Sequence, residues 1–381
     1  MTQIIKYLVL LTVLASVMLS CRDKDVTPGL EEYLNLPEEA FDYQAIAVPG
    51  YLDSDLILLQ DKTPENNPVT NWGATLGRVL FYDKLLSANQ QISCASCHQQ
   101  QFGFSDTARF SMGHEGGKTG RHSMGLTNAR YRVSNLYFWD GRADGLEDQV
   151  LRPILDSIEM GMNLSLLEQR VRSQTYYRIL FNRAFGDSQV TSKRIALALA
   201  QFVRSMNSFE SRYDQGRRSH NRKEDFSNFS EQENLGKRLF FDVAKGNCGG
   251  CHYSDAFVMD VPRNNGLDAW EFAGDNDIGY QAVTNNALDQ GKFIAPSLRN
   301  IGIRPPYMHD GRFQTLEQVV RHYSNGIQWS STLDAHLFGP GNQQAVQFNL
   351  STTEINAIVA FMETLTDTEL INDPRFSNPF K

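Results

Sequence analysis

The pentapeptide C-x-x-C-H occurs twice in this 381-residue chain, as Cys94-Ala-Ser-Cys97-His98 and as Cys248-Gly-Gly-Cys251-His252. Each copy is a complete attachment site, in which two thiols add across the vinyl groups of a haem and the adjacent imidazole becomes an axial ligand to the iron. The copies use four of the five cysteines, and the chain has eight histidines. From that composition one chance match is expected only about 0.001 times. The alternatives are zinc knuckles, disulfides or a redox dithiol. A zinc knuckle brings two C-x-x-C arms together in one small module, whereas about 150 residues separate these. A redox dithiol needs no histidine directly after its second cysteine. Two covalently bound haem c groups are therefore expected, on Cys94, Cys97 and His98 and on Cys248, Cys251 and His252.

Covalent haem attachment takes place outside the cytoplasm, and the N-terminus agrees. One lysine precedes the apolar run Tyr7 to Leu19, which ends at Ser20-Cys21. The run is too short and too early to span a membrane and reads as a signal peptide over residues 1–20. A small residue directly before Cys21 suggests lipoprotein processing, with Cys21 lipidated and residues 21–50 as a tether. A plain cleaved signal with a spare thiol is the alternative. The expected location is the periplasm, with anchoring to the outer membrane. Removing the signal loses Lys6 and takes the formal charge from -8 to -9. An acidic chain with no basic cluster gives no reason to expect nucleic acid.

An internal repeat marks two domains. Leu76-Gly-Arg-Val-Leu-Phe-Tyr-Asp83 precedes the first haem motif, and Leu235-Gly-Lys-Arg-Leu-Phe-Phe-Asp242 precedes the second. Each reads as an amphipathic helix leading into a haem-binding turn, so the chain looks like a duplicated cytochrome c unit. The apolar period of Thr191 to Tyr213 predicts one long helix. Further helices are expected at 146–155, 164–185, 316–323 and 353–365, with no convincing strands. The polar run from Asp214 reads as a linker over 214–228, between domains at 51–213 and 229–381. The fold class is mainly α: two cytochrome c-like haem domains with long loops, their haems facing a domain interface.

The segment between Phe102 and Met162 goes beyond electron transfer. It contains Phe138-Trp139-Asp140-Gly141-Arg142, Leu146-Glu-Asp-Gln149, Pro153 and Glu159-Met160, with Trp139, Gln149 and Glu159 ten residues apart in turn. Pro296-Ser-Leu-Arg-Asn300 and Pro306-Tyr-Met-His-Asp-Gly311 follow in the second half. From about Leu76 to about Leu365 the chain resembles the bacterial dihaem cytochrome c peroxidases, including their MauG branch. The resemblance implies a catalytic trio. Glu159 is the base that takes a proton from peroxide and returns it to the leaving oxygen. Gln149 orients the peroxide, with Pro153 shaping the pocket, and Trp139 relays electrons between the haems. Asp140 and Arg142 read as a structural ion pair near the propionates.

The remaining histidines and one tyrosine depend on the same resemblance. His114, sixteen residues beyond His98 in a glycine-rich loop, matches a displaceable sixth ligand of the first haem; a solvent-exposed loop histidine is the alternative. The family's arginine-asparagine pair appears as Arg121-His122, and histidine suits calcium poorly, so calcium is disfavoured. His309 is expected at a propionate or the domain interface, and His220 and His336 at the surface. Fourteen residues past His309, where the well-known peroxidases place a methionine, stands Tyr323, as in MauG-type proteins. A phenolate ligand favours ferric iron. Tyr323 is expected to ligate the second haem; His322 or a methionine such as Met308 are alternatives.

The resemblance implies an enzyme that reduces hydrogen peroxide to water with electrons from a small donor protein such as a cytochrome c, and relatives commonly form dimers. Two other readings stay open: a MauG-like oxidase that uses peroxide to oxidise a protein, and a non-catalytic dihaem electron carrier.

Overall fold

The computed structural model describes residues 29–45, 49–52, 60–132, 134–258, 261–269 and 277–381. The proposed signal peptide and Cys21 lie outside the described residues. Ten helices suffice to follow the chain: α1 (Asn71–Tyr82), α2 (Leu146–Gln149), α3 (Arg152–Leu155), α4 (Leu164–Ser173), α5 (Thr175–Phe185), α6 (Ser192–Ser205), α7 (Arg212–Ser219), α8 (Glu231–Phe241), α9 (Leu316–Arg321) and α10 (Thr352–Glu363). A two-stranded antiparallel hairpin, β1 (Leu136–Tyr137) and β2 (Ala143–Asp144), pairs Leu136 with Asp144 and Tyr137 with Ala143. Among the described residues no helix is long and apolar enough to cross a membrane.

The repeat in the sequence is a repeat in packing. In the first half α1 packs on α6, and in the second α8 packs on α10. The repeated glycine sits at each contact. A Cβ on Gly77 would lie 2.0 Å from the Ala198 carbonyl oxygen, and one on Gly236 would lie 1.8 Å from that of Ala357. Backbone on backbone leaves nothing flexible to yield, so the helix pairs need glycine here. Gly77→Ala or Gly236→Ala is expected to destabilise the protein by about 1–3 kcal/mol, measured by chemical unfolding of the haem-loaded protein. The next repeat position is a buried cation in both halves, and each ties down a strap. Arg78 donates from Nε to the Ser377 carbonyl (2.7 Å), and Lys237 Nζ donates to the carbonyl of Arg222 (2.8 Å) and to that of Glu224.

Those straps change the expected boundaries. Residues 29–45 are not a free tether: Leu30, Leu34 and Tyr43 join the first core, and Tyr43 donates to the Arg375 carbonyl (2.7 Å). The C-terminal tail also returns to the first half, where Leu370 and Phe376 are core residues and Tyr82 donates to the Phe376 carbonyl (2.6 Å). The segment 214–228 differs most from a linker. Asp214 opens its helix in a reciprocal capping box with Ser211 and forms a fully buried ion pair with Arg299 (2.6 Å). Phe226 is core. Its polar residues are polar because their partners lie far along the chain.

Several predicted helices are broken. The 191–213 helix ends at Ser205, because the Ser208 and Glu210 amides donate to the side chains of Asn128 and Asp367 instead of continuing the helix. The 164–185 helix divides at Gln174, which is extended. The 146–155 helix is two single turns, the second with Pro153 in its first turn. Beyond Arg321, α9 widens into a π-helical turn over His322–Gly326.

Candidate active site

Each haem motif opens into its own cavity. The first is lined by Cys94, Cys97 and His98 with Phe81, Leu199 and Val203 from α1 and α6. The second is lined by Cys248, Cys251 and His252 with Phe240, Val320 and Ile358 from α8, α9 and α10. The four described cysteines are free. Their separation between two cavities removes the four-cysteine zinc reading. Burial pushes the thiols up, to about 12 for Cys94 and Cys248 and about 11 for Cys97 and Cys251. They stay protonated at neutral pH, unlike thiolates poised to hold a metal.

The two proximal histidines are set by the same device. His98 Nδ1 lies 2.9 Å from the Phe104 carbonyl oxygen, and His252 Nδ1 lies 3.1 Å from that of Phe257. Both phenylalanines are fully buried and left-handed, with φ of 59° and 52°. That conformation is costly for a bulky side chain, and it turns each carbonyl onto its imidazole. Donation from Nδ1 leaves Nε2 as the lone-pair nitrogen for iron. Burial lowers both imidazole pKa values, His252 to about 4, which keeps them neutral. The repeat in sequence did not reveal these phenylalanines, because they stand six and five residues past their histidines.

Whether the cavities suit haem is tested by their charges. Arg132 is buried in the wall of the first cavity, and its Nε and Nη1 have no hydrogen-bond partner among the described residues. Arg304 is buried in the wall of the second, with Nη2 donating to Ser297 O (2.6 Å) and Nε unpartnered. Burial lowers both guanidinium pKa values, Arg304 to about 10. An orphaned buried cation beside an apolar cavity is costly unless an anion joins it. Haem propionates answer that need, so the residues fit the group.

The wall between the cavities is narrow, since His122, Ser123, Met124, Gly125 and Trp139 line both. Trp139 stands at the tip of the β1–β2 hairpin, with its indole N–H on the His122 carbonyl (2.7 Å) and its ring edge-on to His309 (centroids 6.4 Å). His309 stacks on Phe293 at 3.7 Å, and burial with the Arg121 charge lowers its pKa to about 4 against nearby carboxylates. Asp140 accepts from Arg142 (3.0 Å) and from Arg121 (2.5 Å), which also holds Asp277 (2.6 Å). His122 has Nδ1 on the Ala108 carbonyl (3.1 Å) and Nε2 near Ser105 Oγ (3.4 Å).

Gln149 and Glu159 line the first cavity with Pro153. The turn α2 carrying Gln149 is anchored by its second residue, Glu147, which accepts both Arg204 Nη atoms at 2.6 Å and Asn67 Nδ2 at 2.6 Å. Arg204 is buried on α6, so the turn carrying the glutamine is tied to that helix through Glu147. Asp156 fixes the turn of Glu159 by accepting the amides of Ile158 (2.8 Å) and Glu159 (3.1 Å). Burial, reinforced by the Asp156 charge and opposed by Arg142, raises the Glu159 pKa to about 7. A carboxyl half-protonated at neutral pH is suited to both accepting and returning a proton.

The His114 side chain is largely buried rather than solvent-exposed. Its amide donates to the Glu159 carbonyl (3.0 Å), and its ring packs on Gly161, where a Cβ would meet it at 2.4 Å. His220 is half-buried against Phe226 rather than exposed, and His336 is exposed beside Asp334. At the second cavity, Tyr323 and Met308 line the wall and His322 does not. His322 Nε2 is instead engaged by the Asn265 carbonyl (3.1 Å).

The family described as di-haem cytochrome c peroxidase matches residues 72–222. The methylamine utilization protein MauG of Methylophilus methylotrophus is 33% identical over 303 residues, covering 79% of this chain and 84% of that protein. The cytochrome c551 peroxidase of Nitrosomonas europaea is 32% identical over 305 residues, covering 80% and 81% respectively. The crystal structure of a MauG-like protein associated with microbial copper homeostasis superposes with a TM-score of 0.71 at 33% identity, covering 83% of this chain and 95% of that one.

Proposed function

The chain belongs to the dihaem cytochrome c peroxidase and MauG family, and from that premise we propose that it reduces hydrogen peroxide at the first cavity, using two covalently attached haem c groups. The observation that carries this reading is the presence of Glu159 and Gln149 in one cavity with Cys94, Cys97 and His98, with the Glu159 carboxyl held near neutrality. Haem supplies the iron that exchanges electrons with peroxide. The protein supplies the rest. Gln149 orients the peroxide by hydrogen bonding. Glu159 takes its proton and returns it to the departing oxygen as water forms. Arg132 and Arg304 balance the propionates, and Trp139 occupies the wall between the two sites. Electrons arrive at the second cavity from a small donor protein such as a cytochrome c. The protein acts in the periplasm, exported by residues 1–20 and anchored through a lipidated Cys21.

One observation favours the MauG-like variant, in which peroxide drives oxidation of a protein. Tyr323 stands at the second cavity, where a phenolate ligand would favour ferric and higher oxidation states of iron. The test is stepwise reduction of the purified protein, recording spectrum and peroxide consumption at each stage. Turnover with a cytochrome c donor is the expected result, and turnover in the fully ferric form would favour the MauG-like variant. Turnover confined to the half-reduced form in wild type, and extended to the ferric form by His114→Ala, would mark a gated peroxidase. No turnover at any stage would leave an electron carrier.

A further inference from the structure

We propose that Asn265 is a positioning residue that selects the axial partner of the second haem, presenting the Tyr323 oxygen to iron and holding the Met308 sulfur back as the competing ligand. This rests on the reading that Tyr323 completes that haem. The three side chains able to compete for the position all meet at this one residue. The Asn265 carboxamide has two N–H donors. Its Nδ2 lies 3.3 Å from the Tyr323 hydroxyl and 3.6 Å from Met308 Sδ, and both of those side chains line the second cavity. The backbone carbonyl of the same residue takes His322 Nε2 at 3.1 Å, which turns that imidazole away from the cavity wall.

The backbone that carries the carboxamide is held on both sides. On one side the Asn264 side chain bonds to Ser330 (3.2 Å) and Thr332 (2.9 Å); on the other the Gly266 carbonyl accepts the Gln328 amide (2.8 Å). Met308 has φ of 75°, a costly conformation for a long side chain, locked by the Gly311 amide on its carbonyl (3.2 Å). Its sulfur is thus placed by the fold rather than by chance. A donor on the phenol oxygen stabilises the charge a metal-bound phenolate carries, while a donor on the thioether occupies a lone pair that iron would otherwise use. One amide therefore favours one ligand and disfavours the other.

The test is spectroscopy with redox titration of the haem-loaded protein, comparing wild type, Asn265→Ala, Asn265→Ala/Met308→Leu and Tyr323→Phe. Asn265→Ala should give two components for the second haem, the new one at higher potential because a thioether favours ferrous iron. Adding Met308→Leu should abolish that component. The first haem's spectrum should not change in either. Asn265→Leu, close in size but without donors, should reproduce the effect if the alanine variant fails to accumulate. A single component at the wild-type potential, or one merely displaced to lower potential, would overturn the selection role. If Tyr323→Phe leaves the second haem's spectrum unchanged, the underlying ligand reading fails instead, whatever Asn265 does.

Discussion

Glu159→Gln is expected to lower peroxide turnover by about 10²–10⁴-fold while both haems stay attached. The substitution keeps shape and hydrogen-bonding reach, so the cavity it shares with Gln149 and His98 is preserved. What it removes is the ability to accept a proton. The pH dependence separates this from a packing effect. Wild-type turnover should rise with pH through about 7, as the raised Glu159 carboxyl ionises, and the variant should lose that limb. Stability moves the opposite way. The folded carboxyl pKa is raised, so between its ordinary value of 4.5 and about 7 the folded state binds more protons than the unfolded one. Wild-type stability therefore falls with rising pH across that window. The glutamine variant should be no less stable than wild type above pH 7. Turnover within threefold of wild type, or an unchanged pH profile, would remove Glu159 from the mechanism.

The legibility of this molecule in its sequence followed the range of its interactions. The haem motifs and the repeated helix with Gly77 and Gly236 depend on local spacing and could be read directly, and the pairing of Gln149 with Glu159 followed from the family resemblance. What could not be read was set by partners far along the chain. Asp214 and Arg217 look like linker residues until Arg299 and Asp255 are seen beside them, at 2.6 and 3.1 Å. The apolar period through Phe209 and Tyr213 continues past Ser205 because both rings are buried, although the helix has stopped and restarted. The His114 ring fills the space beside Gly161, a residue without a side chain, a contact that spacing alone does not show. Arg132, Arg304 and Asn265 carried no motif at all. Their signal is a donor facing a cavity, and that exists only in three dimensions.

Tyr323→Met should raise the midpoint potential of the second haem on the order of a hundred millivolts or more, axial ligands spanning about 0.8 V between them. A phenolate donates charge and stabilises ferric iron, whereas a thioether favours ferrous iron. Burial pushes the Tyr323 phenol well up, opposed by the Asn265 amide, so without a metal the group would stay neutral; iron is what makes the phenolate worth forming in that cavity. The functional consequence distinguishes the two enzymatic readings. With methionine, the second site becomes an easier acceptor from a high-potential donor, and cytochrome-driven peroxide reduction should increase. In the same variant, the ferric protein should lose its capacity to oxidise a protein directly with peroxide, because the site no longer favours the higher oxidation states. An unchanged potential would remove Tyr323 from the iron. Increased potential with both activities unaltered would mean that the second haem does not limit either reaction.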